Sequence, residues 1–326
     1  MDISLTGHLT VRVQPADVGK RVSLRSLTEP GDSAGRFTDT VGVLTAWADG
    51  VLHVTRRDGR SVRLSASALV AGKVVPATPA RRRGLPAADV AELTAAGVRS
   101  WPAPRTERVG DWLLRAADGW TWRANSAVAL GTSPPDTGRI TAWYAARGLP
   151  AALHLATGQE LLAAELEERG WTASGHAVVQ VAALAPIADR EPDERVAVGR
   201  TLTPAWLAGW PRAAEGPGVA EEVLRGGPVT LFALAPAPGG RPAAVGRCVV
   251  DGRWAGFAAV RVDAAHRRRG LARAVMAALA RAALDEGASA AHLQVEADNT
   301  AARTLYHDLG FADHHHYHYR SPGPAA

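Results

Sequence analysis

The stretch that most constrains the fold is Phe257-Ala-Ala-Val260-Arg-Val262-Asp-Ala264-Ala-His-Arg267-Arg268-Arg269-Gly270-Leu271-Ala272. An apolar, β-branched run passes through a tight cationic turn straight into a helix-forming run. Such a strand needs sheet neighbours and such a helix needs an apolar face to cover, so the segment demands a layered α/β arrangement. It also makes a ligand site. The first N–H groups of a helix lack partners and the positive end of its dipole lies there, which suits an anion. Gly270 lets the backbone approach closely, Ala272 keeps the next turn small, and three arginines suit a pyrophosphate. Dipole attraction at an exposed helix end is only about 0.3–1 kcal/mol, so several N–H bonds must act together.

The flanking pattern agrees. From residue 88 onward, strands alternate with helices. Expected strands are 111–116, 122–130, 151–156, 177–183, 196–202, 229–234, 243–250, 256–262, 291–296 and 313–320. Expected helices are 87–98, 137–147, 160–169, 219–224, 268–286 and 300–309, with another capped by Thr203 and opened by Pro204. Gly287 ends the long helix. Two segments echo each other: a helix closed by Gly170-Trp171, and a helix closed by Gly310-Phe311, each between apolar strands. Residues 88–185 therefore read as a degenerate copy of a complete unit at 194–320.

Residues 1–76 are different. Segments 7–13, 21–26, 41–47, 51–56 and 61–64 read as short strands, with hairpin turns at Asp49-Gly50 and Asp58-Gly59. They suggest a small, SH3-like β-barrel. Residues 77–87 form a Pro-rich basic linker in which Arg81-Arg82-Arg83 reads as a solvated charge run before a phosphate contact. The whole is an α+β chain: a mixed sheet flanked by helices, preceded by a small all-β barrel.

A second motif follows the first. Asn299-Thr-Ala-Ala302-Arg-Thr-Leu305-Tyr306-His-Asp-Leu-Gly310-Phe311 comes after the strand at 291–296. Together with Arg267-Arg268-Arg269-Gly270-Leu271-Ala272, it resembles the GNAT superfamily of N-acetyltransferases. That family's motifs are Gln/Arg-x-x-Gly-x-Gly/Ala and Asn-x-x-Ala-x-x-Leu-Tyr-x-x-x-Gly-Phe. Ala264 stands where the family often has proline. The barrel, the degenerate unit and the stretches Gly110-Asp-Trp-Leu-Leu-Arg115 and Arg123-Ala-Asn-Ser126 resemble an actinobacterial GNAT group. The resemblance implies a tandem GNAT-like fold and an acyl donor, acetyl-CoA. It implies that the strand backbone near Val260 and Val262 pairs with pantetheine, and that Arg267, Arg268, Arg269, Gly270, Leu271 and Ala272 hold the pyrophosphate. Asn299 is then a pantetheine contact, and Tyr306 the acid that protonates the departing thiolate. Leu166 occupies the Tyr306 position in the first copy, which also lacks the basic glycine turn, so that copy is not expected to bind the cofactor.

The implied acceptor is a primary amine on a protein lysine, an N-terminus, an antibiotic or a small metabolite. An amine of pKa near 10.4 is only about 0.04% neutral at pH 7, so a base is expected. Glu296 is the candidate, with Gln294 on the same strand face, while Arg115, Arg123, Asn125 and Ser126 are candidates for the acceptor side. A coenzyme A sensor that has lost turnover is the alternative from another class, although it would not need Tyr306.

Other features exclude more than they assign. Among the 326 residues the only cysteine is Cys248, so there is no intramolecular disulfide and no cysteine zinc site. Mid-strand, it reads as a buried, inert thiol. No apolar run spans a membrane, and no signal peptide is evident, which points to a cytoplasmic enzyme. The formal charge of +5, with 37 basic and 32 acidic residues, accompanies an Ala-, Arg- and Gly-rich composition and is not by itself a nucleic-acid signal. Arg56-Arg57 and Arg60 flank one hairpin; a solvated face and a nucleic-acid contact both remain open there. No metal is expected. His314, His316 and His318 would share one face of an alternating strand, but such a tract is weak grounds for an ion.

Overall fold

The structure, a computed structural model, describes residues 11–27, 37–56, 60–75 and 83–323. It divides into two compact units, Met1–Ala80 with Asp285–Gly287, and Arg81–Leu284 with Ala288–Ala326.

The first unit is an antiparallel sheet of five strands: β1 (Arg21–Leu27), β2 (Phe37–Ala48), β3 (Val51–Thr55), β4 (Ser61–Ser65) and β5 (Leu69–Val74). Its order is β4-β3-β2-β1-β5. β2 alternates buried and exposed positions along its centre, as a strand with one covered face must. Asp49 and Gly50 both take positive φ, 50° and 73°, as a two-residue hairpin between twisted strands requires. Val13, Val22, Leu24, Leu44, Leu52 and Val54 form the core. Among the described residues the ladder runs from β4 at one end to β5 at the other. Of the strand expected at 7–13, residues 7–10 lie outside the described residues, and Val11 makes only an isolated bridge to Gly72. Arg57, the turn at Asp58-Gly59 and linker positions 76–82, with Arg81 and Arg82, also lie outside them. Arg83 pairs with Asp189 at 3.0 Å.

The second unit is built on one mixed sheet of eleven strands. Its strands are β6 (Arg105–Val109), β7 (Trp112–Ala116), β8 (Ala127–Ala129), β9 (Leu153–Ala156), β10 (Trp171–Ala183), β11 (Ala197–Gly199), β12 (Val229–Ala235), β13 (Ala244–Asp251), β14 (Trp254–Val262), β15 (Ala290–Glu296) and β16 (Ala312–Pro322). The helices are α1 (Val90–Ser100), α2 (Thr137–Ala145), α3 (Glu160–Glu168), α4 (Leu184–Ala188), α5 (Pro204–Gly209), α6 (Val219–Arg225), α7 (Leu271–Asp285) and α8 (Thr300–Asp308). None among the described residues is long and apolar enough to cross a membrane.

The sheet order is β11-β12-β13-β14-β15-β10-β16-β9-β8-β7-β6. Each half contains one parallel pair, β14 with β15 and β8 with β9. The centre is an exchange. β10, which closes the first half in sequence, pairs with β15 of the second, and β16, which closes the second half, pairs with β9 of the first. The echoed helix–glycine–aromatic segments lead into these two strands, so the repeat seen in sequence is also the place where the halves interlock.

One face of the second half is covered by α4, α7 and α8, through Leu184, Val275, Leu279, Leu309 and neighbouring apolar residues. The opposite face is covered by α5 and α6 and by α1 from the chain's first half. α1 packs closely: a Cβ on Gly256 of β14 would collide with Ser100 Oγ and lie 2.7 Å from His292 Nε2. Arg247 on β13 ties this layer down. It is fully buried and donates to the carbonyls of Leu224 (2.7 Å), Ser100 (2.7 Å), Val223 (3.3 Å) and Gly226 (2.6 Å).

Three expectations need correction. Residues 122–130 are not one strand: Trp122–Ala124 is a 3-10 turn, and only Ala127–Ala129 pairs. The cause is Asn125, whose Oδ1 accepts from the N–H groups of Ala117 (2.8 Å) and Gly119 (3.0 Å) while its amide donates to the carbonyls of Trp120 and Thr121. These bonds reward a folded loop over an extended ladder. The long helix begins at Leu271, not Arg268, because Arg268 (φ 62°) and Gly270 (φ 76°) are left-handed. The strand expected at 196–202 shrinks to Ala197–Gly199.

Candidate active site

β14 and β15 run parallel from Trp254 opposite Ala290 to Phe257 opposite Leu293, and there their pairing stops. On its other side, β14 slips register against β13 between Val245 and Arg247, and Ala259 takes a φ of 53°. This bulge bends β14, so residues 258–262 leave β15 and present backbone amides with no ladder partner on that side. A non-glycine residue at positive φ is held at a cost of about 1–2 kcal/mol, typical of a site where backbone geometry serves a purpose. Val260 and Val262 are half-buried and pack toward α7 and the core beneath it.

The strand then enters the cationic turn. Asp263 accepts from Ala265 N–H at 3.0 Å, and that bond, with His266 beside it, holds its carboxyl below the usual range. Arg267, Arg268 and Arg269 are exposed, and their side chains have no acidic partner among the described residues. The first bond within α7 runs from Ala274 N–H to the Gly270 carbonyl. No side chain caps the N–H groups of Leu271, Ala272 and Arg273 among the described residues. A Cβ on Gly270 would meet nothing within 4 Å, so the turn opens outward. Uncapped amides, a helix dipole and three unpaired guanidiniums make a site for a polyanion. The corresponding helix of the first half differs. α2 is capped by the Asp136 carboxylate, which accepts from Arg139 N–H at 2.9 Å. A carboxylate there repels an anion.

Asn299 is the N-cap of α8, its Oδ1 accepting from Ala302 N–H at 3.1 Å. Tyr306, two turns along, is half-buried against the core and meets Phe311 edge-on, with ring centroids 5.9 Å apart. Its hydroxyl has no hydrogen bond among the described residues. Burial pushes the phenol's pKa up, opposed by the positive charge of Arg123. The phenol therefore keeps its proton at neutral pH.

Gln294 and Glu296 share a face of β15, as expected, but their surroundings differ. Gln294 lines the space beneath α1 and accepts from the Tyr317 hydroxyl at 3.0 Å. Glu296 is exposed and does not line that space. Of the residues expected on the acceptor side, three are buried and internally satisfied. Arg115 donates to the Ser126 carbonyl (3.0 Å) and hydroxyl (2.8 Å), and Asn125 holds its own loop. Arg123 alone of the four lines the part of the space beside Gly256, Ala258, His292 and Gln294, while Arg115 joins it on the far side of Gln294.

Sequence reasoning missed the residues supplied by α1 and also missed His292. Ser100 Oγ lies 3.2 Å from His292 Nε2 although the two are 192 positions apart. Burial lowers the imidazole's pKa to about 4, so it is neutral at pH 7. Its alternation with Gln294 and Glu296 was the available signal; nothing local announced Ser100. The histidine tract also departs from expectation. β16 slips register between Asp313 and His315, which turns His314 toward the Ala88 carbonyl (2.9 Å) and His315 (2.8 Å). His316 and His318 instead line a separate hollow with His176. Among the described residues, no group of three His, Cys, Asp or Glu is arranged to hold a metal ion. Cys248 is fully buried, and burial pushes its thiol pKa well up.

Known proteins resemble this chain in sequence and in fold. Residues 87–320 match the family described as "Probable histone acetyltransferase Rv0428c C-terminal". The chain is 29% identical over 313 residues to the "Probable histone acetyltransferase Rv0428c" of Mycobacterium tuberculosis, covering 93% of this chain and 94% of that protein. It is 27% identical over 246 residues to the "Uncharacterized N-acetyltransferase YobR" of Bacillus subtilis, covering 71% and 98%. A solved GCN5-related N-acetyltransferase from Kribbella flavida superposes with a TM-score of 0.55 at 19% identity, over 74% of this chain and 98% of that one. The bulged strand, the split parallel pair and the cationic turn are thus set in a GNAT fold, and the chain belongs to the Rv0428c-like family of acetyltransferases.

Proposed function

We propose that the chain is an N-acetyltransferase that passes acetyl from acetyl-CoA directly to a primary amine. The observation that carries this reading is the continuous path from the β14–β15 split to the uncapped start of α7, with Tyr306 on the neighbouring helix. Extended backbone beyond Phe257 suits the two amides of a pantetheine arm. Arg267, Arg268, Arg269 and the N–H groups from Gly270 to Ala272 suit its pyrophosphate, and the free amide of Asn299 suits the arm's polar edge.

The amine nitrogen attacks the thioester carbonyl carbon, the carbon–sulfur bond breaks, and the Tyr306 hydroxyl gives its proton to the sulfur. Tyr306 regains a proton from solvent. The amine must shed its own proton, and Glu296 is the group we assign to receive it, passing it to water at the exposed end of β15. Holding both substrates in one cleft supplies much of the rate. The name of the mycobacterial relative, a probable histone acetyltransferase, favours a protein as one acceptor class. A coenzyme A sensor remains the second reading, and the unbonded Tyr306 hydroxyl favours the enzyme, since a sensor needs no proton donor.

A calorimetric titration with acetyl-CoA, run beside Gly270→Glu, tests the reading. Saturable binding weakened at least tenfold in the variant is expected, because the new carboxylate blocks and repels the pyrophosphate. No binding by folded wild-type protein would overturn the proposal. Binding without release of coenzyme A in the presence of any amine would leave the sensor.

A further inference from the structure

Two arginines lie over the ring of Trp101, Arg247 with its guanidinium 5.3 Å from the centroid and Arg123 at 5.5 Å. Their situations differ. Arg247 spends its donors on backbone carbonyls and is structural. Arg123 is half-buried, and its guanidinium has no hydrogen bond and no ion pair among the described residues. It lines the space under α1 on both sides of Gln294, and no aspartate or glutamate lines that space with it. The nearby acids are engaged elsewhere: Asp251 with Arg99, Glu92 with Arg253, and Asp313 with Arg303. The third arginine there, Arg115, is held by Ser126. The wall of the space therefore has no carboxylate of its own beside Arg123, whose charge favours ionisation of Tyr306 and, against the stronger opposing field of Asp251, disfavours protonation of His292.

A guanidinium offers five donors in a planar fork that matches a carboxylate with two parallel bonds. Stacking on Trp101 holds the fork in place before a ligand arrives, so little ordering remains to be done. Arg123 also lies beside Gly256, Ala258 and Gln294, which flank the point where β14 and β15 part. A carboxylate gripped there leaves an amine a few bonds away at the opening of the split. We propose that Arg123 anchors a carboxylate of the acceptor, so that the acceptor class is an amine that itself bears a carboxylate, an amino-acid-like zwitterion. Polycations meet repulsion at the same wall. This inference rests on the acetyl-transfer reading and narrows it.

The test follows coenzyme A release with a thiol reagent, using the full chain and acetyl-CoA. The acceptors are the free L-amino acids one at a time, the carboxamide of each, spermidine and a lysine-rich peptide. At least one free acid is expected to react, with kcat/KM at least tenfold above that of its carboxamide. In Arg123→Gln the acid-to-amide ratio should collapse toward one through a raised KM for the acid. Arg123→Lys, which keeps the charge but loses the fork, should recover part of it. Calorimetric binding of acetyl-CoA shows that each variant is folded. The anchor is overturned if carboxamides, spermidine or the peptide react as well as the acids, or if Arg123→Gln lowers acid and amide rates equally. It is also overturned if no carboxylate-bearing amine reacts in protein that binds acetyl-CoA. Failure to bind acetyl-CoA at all would instead remove the acetyl-transfer reading on which it stands.

Discussion

Burial acts on both the Tyr306 phenol and the Arg247 guanidinium by disfavouring the charged form, with different consequences. For the phenol, it raises the pKa and keeps a proton available. For the guanidinium, it lowers the pKa to about 9, and the charge persists at neutral pH because carbonyls surround it. If Tyr306 is the general acid, Tyr306→Phe should lower kcat on the order of 10²-fold with little change in KM for acetyl-CoA, measured in steady state. An unchanged kcat removes Tyr306 from the mechanism. Tyr306 was legible in the sequence because it sits inside a dense local motif. Arg123 was only one of four polar candidates, and its distinction from Arg115, Asn125 and Ser126 lies in which hydrogen bonds those side chains make. Such bonds depend on a loop conformation that spacing does not reveal.

At the scale of elements, the sequence patterns located most helices and strands, while their ends were decided by particular bonds. The left-handed Arg268 and Gly270 delay α7, and Asn125 folds residues 120–125 into a turn. Strand β5 went unread because residues 69–74, Leu-Val-Ala-Gly-Lys-Val, lack clean alternation and a flanking turn signal. The attachment of α1 and α6 to β13 depends on Arg247, invisible in sequence as anything but a polar residue in an apolar strand. Arg247→Met would leave the carbonyls of Ser100, Leu224 and Gly226 without their donors. Urea unfolding should show a loss of about 2–4 kcal/mol. A loss below 1 kcal/mol would mean that the layer is held by its apolar contacts alone.

Across the second unit, stability is tied to pH through three buried histidines. Burial depresses His154 to about 3, and His292 and His315 to about 4. Unfolding returns each to near 6.5, so below that pH the unfolded state takes up protons that the folded state refuses. Their stabilising effect is complete above pH 6.5 and is lost as pH falls toward 4, at up to about 1.4 kcal/mol per pH unit for each histidine. The urea midpoint should therefore drop steeply between pH 6.5 and 4, and a flat midpoint would show that these imidazoles protonate without unfolding. The exchanged strands make a second prediction. A fragment of residues 194–323 lacks β10, which lies between β15 and β16, and lacks the α1 cover. It should show no cooperative thermal transition by circular dichroism. A cooperative melt with acetyl-CoA binding would mean that the second half is self-sufficient.

The sequence by itself determined what is encoded within a few turns of chain. The strand–turn–helix at 257–272, the Asn299-to-Phe311 helix and the two echoing units all follow from local periodicity, glycine placement and capping. Those patterns sufficed for the fold class and for one wall of the candidate site. The tertiary structure alone decided the exchange of β10 and β16, the use of α1 as a roof and the position of Arg123, a guanidinium with no hydrogen bond or ion pair among the described residues. The first two depend on pairing between segments more than a hundred residues apart, such as Ser100 with His292 and β10 with β15, and the third on a loop fold that spacing does not reveal. Long-range pairs are selected by mutual burial and hydrogen-bond satisfaction across the whole sheet, and no single segment carries that information.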